Sequence, residues 1–294
     1  MPIRRVSSRR GNRLAYTQDS FDRDIWQMQP GKPPRRFVSS TRLEGFPEYS
    51  PDGKRVAFSS NRSGQTEIWM CDAEGGKLAQ LTHFEEHSGS PQWSPDGQWI
   101  TFDRHMNTGW HIFVMASDGG QVRQVTADEG DQAAPNWSRD GDSIYYAANR
   151  TGRYEIWRSP AKGGRGVQVT RNGGWFAAES PDGNSLYYSK NLNNDDALSA
   201  LWTCPVRGGE EKLVLPSIVA RPFDVREDGI YHLEWRRADS AWIRFYDFAT
   251  GEDRIIAPFD NFGGWLTVSP DRKTFLFDVA TRTGANIIVV DNFR

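Results

Sequence analysis

Between Ser90 and Thr126 the apolar positions fall into four short runs separated by polar turns. The first run is residues 91–94, and Ser94-Pro95-Asp96-Gly97 then has the composition of a type I turn. Pro fixes φ at the second position, Ser and Asp oxygens can bond nearby N–H groups, and Gly follows without a Cβ clash. Residues 98–102 place Ile100 and Phe102 on one face at period two, as in a strand. After the polar connection 105–109, residues 111–115 are almost continuously apolar, which suits a strand covered on both faces. Asp118-Gly119-Gly120 turns the chain again, and residues 122–126 alternate as an outer, half-exposed strand. No helical period of useful length appears.

This unit recurs. The turn aspartate returns at Asp52, Asp96, Asp140, Asp182, Asp228 and Asp271, at intervals of 44, 44, 42, 46 and 43 residues. An earlier copy keeps only Gly11, 42 residues before Gly53. The third run carries Ile25-Trp26, Ile68-Trp69, Ile112-Phe113, Ile156-Trp157 and Leu201-Trp202, weakening to Trp242–Phe245 and Ile287-Ile288. A period in the low forties with four strands per copy marks propeller blades. The seven copies predict an all-β, seven-bladed β-propeller of four-stranded antiparallel blades, one domain over 1–294, with blades near 1–45, 46–89, 90–133, 134–177, 178–220, 221–263 and 264–294.

The last copy stops after its third strand, so the seventh blade is incomplete unless the N-terminal strand closes it. Residues 2–8 are one strand-sized piece. As the innermost strand of the first blade they would cover backbone groups beside the channel that otherwise stay unpaired. As an outer strand of the seventh blade they would exploit the similarity of Pro2-Ile3-Arg4-Arg5-Val6-Ser7 to Pro34-Arg35-Arg36-Phe37-Val38-Ser39. The innermost placement is expected, because a missing outer strand only moves the exposed edge. The abrupt end reads as a portion of a longer chain.

Composition narrows the partners. The 36 basic and 38 acidic side chains leave a formal charge of −2, which gives no electrostatic case for nucleic acid or an anionic membrane. Arg4, Arg5, Arg9 and Arg10 form too short a cluster to change that. No apolar run approaches membrane-spanning length, and the basic start has no apolar segment behind it to make a signal peptide. Cys71 and Cys204 each lie two residues after a third-strand Trp, in blades too far apart for a disulfide, so two free thiols are expected.

Tyr49-Ser50-Pro51-Asp52-Gly53-Lys54-Arg55-Val56-Ala57-Phe58-Ser59-Ser60-Asn61-Arg62-Ser63-Gly64, followed by Glu67-Ile68-Trp69 and Gln80-Leu81-Thr82, resembles the WD40-like PD40 repeat of TolB-type propellers. Asn149-Arg150-Thr151-Gly152 and Thr281-Arg282-Thr283-Gly284 repeat the connection between second and third strands. The start Arg9-Arg10-Gly11-Asn12-Arg13-Leu14-Ala15-Tyr16 with an Asp-Asn-Phe-Arg end is also similar to the C-terminal propeller of bacterial winged-helix regulators. The resemblance implies a repeat fold and a binding or sensor role within a larger bacterial envelope or regulatory protein, periplasmic if that protein is exported. It brings no catalytic residues to map.

Candidate chemistry is sparse. His83-Phe84-Glu85-Glu86-His87 matches the H-x-x-E-H pattern of a zinc peptidase family, but two His four apart share a metal only on a helix, and this stretch reads as a loop between strands. More loosely, His83, His87 and His105 could converge at the channel mouth on a divalent metal ion, with Asp131 as the best further ligand, for a metal-assisted hydrolase or lyase. Asn191-Leu192-Asn193-Asn194-Asp195-Asp196 has oxygen ligands suited to calcium but lacks the central Gly and closing Glu of the usual loop. Trp69, Trp93, Trp137 and Trp157 repeat at equivalent positions and read as packing between blades. Trp110, Trp175 and Trp265 are less regular, and Trp175 and Trp265 follow Gly-Gly pairs into inner strands, where they could form a stacking platform.

The sequence reading is therefore a non-enzymatic binding module without a cofactor. Its mouth is lined by Arg62, His83, His87, His105, Asp131, Arg150, Trp175 and Lys190, and its partner is a protein segment or a small polar ligand. The metal-assisted enzyme at the same His-rich mouth is the alternative.

Overall fold

A computed structural model describes residues 5–7, 13–191, 199–220, 222–237, 240–260 and 262–291. Its described residues form β-strands in six sheets and no α-helix, so no helix is long and apolar enough to cross a membrane. Five sheets are single repeats read from the centre outward. The first is Glu44–Tyr49, Arg55–Ser60, Glu67–Asp72 and Ala79–Gln80; the second is Ser88–Trp93, Trp99–Met106, Gly109–Ala116 and Arg123–Gln124. The third is Gln132–Trp137, Ser143–Ala148, Glu155–Pro160 and Val167–Gln168, and the fourth Ala177–Glu179, Ser185–Asn191, Ser199–Pro205 and Lys212–Ile218. The fifth is Asp224–Arg226, Gly229–Arg237, Ser240–Asp247 and Asp253–Asp260. Each inner strand touches the inner strands of its two neighbours, and the sixth blade's inner strand, Phe262–Val268, touches the first's, so the ring is closed.

The sixth blade corrects the expected count of seven. Its two inner strands are Phe262–Val268 and the first half of Phe275–Asp291; its two outer strands are the second half of Arg13–Met28 and Arg35–Val38. The first and last repeats are thus halves of one blade. The reason lies in their connections. Thr281-Arg282-Thr283-Gly284 does not turn back; the strand runs straight through, and a register shift between Ser20 and Phe21 skips Thr283, leaving a bulge in one long ladder. Each half alone would leave a row of backbone groups unpaired, and joining them satisfies both. Ile287 and Ile288, expected on a separate third strand, pair with Thr17 and Tyr16 on a ribbon that prolongs this blade. Arg5–Ser7 also pairs on the ribbon, with Leu14, Ala15 and Tyr16, rather than beside the channel or as an outer blade strand. The C-terminal blade is closed from the N-terminal side, but by Arg13–Met28 and Arg35–Val38.

Local chemistry explains the repeat. In the first blade Gly53 N–H bonds the Ser50 carbonyl at 2.8 Å, the Ser50 hydroxyl donates to Asp52 Oδ1 at 2.6 Å, and that oxygen accepts the Lys54 N–H at 3.1 Å. The same serine–aspartate pair recurs at Ser94/Asp96, Ser138/Asp140, Ser180/Asp182 and Ser269/Asp271. Gly53 sits at φ 69°, where a side chain would be strained. On the third strands Ile25, Ile68, Ile112, Ile156, Leu201 and Ile243 are fully buried. Trp93 and Trp137 donate their indole N–H groups to the carbonyls of Glu48 and Gln92, each at 3.1 Å, and so tie each blade to the one before it. Cys71 and Cys204 are free and buried in different blades.

Candidate functional site

Antiparallel blades place the inner-to-second turns on one face of the ring and the second-to-third and outer-to-inner connections on the other. The inner strands bend as they line the channel. Phe46, Ser90 and Ala134 hold equivalent positions, each followed by a proline, each at positive φ (57°, 50° and 52°), and each inside a break in the ladder. Left-handed backbone costs such residues about 1 kcal/mol or more. The kink is pinned by carboxylates: Asp103 Oδ2 accepts the Ala134 N–H at 3.0 Å, and Asp278 Oδ1 accepts the Trp265 N–H at 2.8 Å.

On the connection face these positions open into a chamber of about 530 Å³. Phe46, Trp110, Tyr154, Trp175 and Trp265 wall it, with Asp103 and His87. The Phe46 and Trp265 rings meet edge to face at 4.8 Å and 78°, and Tyr154 and Trp175 at 4.7 Å and 83°. Trp110 is fixed by its N–H bond to Asp131 Oδ1 at 3.0 Å and by the His105 ring at 5.3 Å.

Two residues further along each inner strand, about 7 Å deeper, the lining turns polar. Glu48, Gln92, Asn136, Asp224 and Thr267 stand two positions before the turn residue of five blades, with Ala178 at that position in the fourth blade, around a chamber of about 300 Å³. Arg226 binds Asp224 at 2.6 Å and the Val268 carbonyl at 2.7 Å. The Arg139 guanidinium donates to the Val225 carbonyl at 2.8 Å, and Glu179 accepts the Tyr145 hydroxyl at 2.6 Å and the Arg139 N–H at 2.7 Å. Among the described residues no arginine is bound to Glu48; its carboxyl group faces the Gln92 amide at 3.5 Å. Burial, reinforced by the Asp224 charge, pushes the Glu48 carboxyl up to about 8. Burial also raises Asp224, with Arg226 pulling the other way.

Of the eight residues expected at the mouth, His87 and Trp175 line the upper chamber, and Asp131 and His105 support Trp110. His83 is exposed on the outer-to-inner connection. Arg62, Arg150 and Lys190 lie over the third-strand aromatics Trp69, Trp157 and Trp202, at 5.1, 3.3 and 4.5 Å from the ring centroids. Each also pairs with an acid: Arg62 with Glu44 at 3.1 Å, Arg150 with Asp128, and Lys190 with Glu211 at 3.0 Å. Arg104 repeats the device on Phe113 and Glu86.

The stretch 83–87 is non-helical, so its two histidines lack the one-turn spacing that a zinc pair needs. Among the described residues no three His, Cys, Asp or Glu side chains group closely enough to hold a metal. The acidic loop at 191–196 lies, apart from Asn191, outside the described residues. Trp110, Trp175 and Trp265, singled out as irregular, are brought together in one chamber. The polar ring below it was not anticipated, although a polar residue at one fixed position of successive inner strands is a signal that aligning the repeats exposes.

Comparison with known proteins agrees with this architecture. A tricorn protease homolog (homolog 2) of Streptomyces coelicolor is 32% identical over 77 residues, 25% of this chain and 6% of that protein. TolB from Acinetobacter baumannii overlays with a TM-score of 0.63 at 18% identity, covering 90% of this chain and 65% of TolB. A Mycobacterium tuberculosis puromycin-hydrolyzing peptidase gives 0.61 at 15% identity, over 87% of this chain and 44% of the peptidase. An oligogalacturonate lyase in complex with manganese gives 0.52 at 12%, over 92% and 76%. At these identities the structural likenesses show the fold alone, and the chain spans less than two thirds of the length of the curated relative and of TolB. The TolB beta propeller domain family, PD40, matches residues 29–213, well over half of the chain, and the chain belongs to that family.

Proposed function

We propose that this propeller is a non-enzymatic binding module that receives its partner in the aromatic chamber on the connection face. The observation that carries the reading is the chamber itself: about 530 Å³, within the range of ligand sites, walled by five aromatic side chains from separate segments of a closed ring. Such a ring holds its walls fixed by packing between blades, so a ligand meets a preformed site and little ordering cost is incurred on binding. The partner is a segment of a protein or a small polar ligand, entering past His87 and Trp175. The volume excludes a folded domain and accommodates one or two side chains.

Immobilised propeller incubated with lysate of the source organism tests this. Capture of a defined partner should be lost on Trp175→Ala and Phe46→Ala and retained on Lys54→Ala and Lys273→Ala, which sit on the opposite face. If the lysine changes abolish capture while the aromatic changes leave it intact, the binding face is the other one.

A further inference from the structure

Below the aromatic chamber lies the polar one, walled by different residues and set among the inner-to-second turns. Pro51, Pro95 and Pro270, each the second residue of its turn, line it. Its volume of about 300 Å³ suits a molecule of a few heavy atoms. We propose that this lower chamber is a second binding site, which takes the carboxylate of a small organic acid between the guanidinium groups of Arg139 and Arg226. Both arginines depart from the repeat. The turn reads Ser-Pro-Asp-Gly at 50–53, 94–97 and 180–183; Arg139 stands where those turns have proline, and Arg226 where they have serine. The third blade thus gives up the residue that presets its turn, and the fifth the hydroxyl that elsewhere bonds the turn aspartate. Each gains a cation lining the channel instead, and local rules are broken in this way where function asks for it.

Hydrogen-bond capacity decides the charge of the ligand. Arg226 reaches Asp224 Oδ2 and the Val268 carbonyl, and Arg139 the Val225 and Glu179 carbonyls, all from one terminal nitrogen of each fork. A guanidinium carries five N–H donors. Among the described residues, these bonds fix both forks and leave further N–H groups for a planar carboxylate, whose geometry a guanidinium matches. The neighbouring acids already accept: Asp224 from Arg226, and the two Glu179 oxygens from the Tyr145 hydroxyl and the Arg139 N–H. Glu48 faces Gln92 of the second blade, Asp224 and Arg226 of the fifth and Thr267 of the sixth, with Arg139 and Glu179 also lining the chamber. Burial and the Asp224 charge keep its carboxyl protonated at neutral pH, so it offers the ligand a donor and no repelling charge. As pH rises through about 8 that proton is lost, and a second negative charge beside the ligand weakens its binding.

The test uses the full 294-residue chain with acetate, acetamide and methylammonium as probes, titrated at constant ionic strength by calorimetry and tryptophan fluorescence. At about pH 7 acetate should bind saturably, and acetamide about tenfold or more weaker. Acetate affinity should fall about tenfold between about pH 7 and pH 9, as Glu48 goes from mostly protonated to mostly ionised, and stay level in Glu48→Gln. Arg139→Gln should weaken acetate about fivefold or more, and Lys212→Ala, on an outer strand, should leave it unchanged. Where Arg139→Gln fails to fold by circular dichroism, Arg139→Lys carries the same test, because it keeps a charge and loses the fork. Absence of saturable acetate binding overturns the proposal, and equal binding of acetamide overturns it in favour of a neutral polar site. Methylammonium binding without acetate overturns it in favour of a cation site. Acetate binding that ignores Arg139, or that keeps its pH dependence in Glu48→Gln, overturns it by placing the anion elsewhere. These probes and variants leave the aromatic walls intact, so partner capture there stands or falls separately.

Discussion

Glu48 makes the deeper part of the channel a measurable pH sensor. Its carboxyl lies among Asp224, Arg226, Thr267 and Gln92, where burial and the Asp224 charge raise it from 4.5 to about 8. Arg226, which is bound to Asp224, pulls the Glu48 carboxyl the other way but does not offset burial. A carboxyl raised on folding makes the folded state hold a proton that the unfolded chain releases. Stability from this group is therefore complete below about pH 4.5 and is lost as pH rises through about 8. The difference, 8 minus 4.5, sets a ceiling of about 5 kcal/mol. Because the carboxyl reaches the water of the channel, about 2–3 kcal/mol is the expected loss. Glu48→Gln keeps the shape and cannot ionise. Urea unfolding followed by tryptophan fluorescence, at about pH 5, pH 7 and pH 9, should give near-equal stabilities at the acid end. The variant should then pull ahead by about 2–3 kcal/mol at the alkaline end. A wild-type-minus-variant difference that stays constant across that range would refute the reasoning, and so would a wild type that gains on the variant as pH rises.

Two further outcomes test the blade chemistry. Arg150→Ala removes the guanidinium from the Trp157 face, 3.3 Å from the ring centroid, and from Asp128, and should lower stability by about 1–2 kcal/mol in thermal or urea unfolding. An unchanged midpoint would show that the cation contributes nothing to the blade. Burial pushes the Cys71 thiol up to about 12 and the Cys204 thiol up to about 11, so a thiol reagent at neutral pH should react slowly with native protein and titrate two thiols in denaturant. Prompt reaction of the native protein, or none after denaturation, would contradict this.

How much of this was legible in the sequence depends on where the physics is local. The Ser-Pro-Asp-Gly turn writes its own hydrogen bonds within five residues, so its recurrence identified blade, period and fold directly. The isoleucine of each Ile-Trp pair was equally plain, because a strand covered on both faces leaves no polar alternative. The number of blades was not plain. Whether residues 281–284 turn back or run on is decided by a partner strand more than 250 residues away, and no local pattern encodes that pairing. At the mouth, Arg62 and Arg150 share one repeat position and Lys190 stands two residues earlier in its blade, all with a structural duty over an aromatic ring, and a sequence shows the charge without showing the ring beneath it. Trp110, Trp175 and Trp265 stood out because they broke the repeat; a side chain that packing does not demand is free to serve something else. The bend at Phe46, which carries an aromatic ring to the chamber, was hidden because nothing in Gly45-Phe46-Pro47 alone announces a left-handed residue.

The shared sixth blade also governs the order in which this molecule can assemble. Five blades consist of neighbouring segments and can form as each emerges, whereas the seam joins residues 22–28 to 275–281, partners that lie at opposite ends of the sequence. Until that seam zips, the hydrophobic flanks of the first and fifth sheets face solvent and the arc has two sticky ends. Such non-local contacts slow folding and prolong the aggregation-prone interval. Once the seam is made, peeling any one sheet away requires opening the whole circle, so unfolding should be rare and all-or-none.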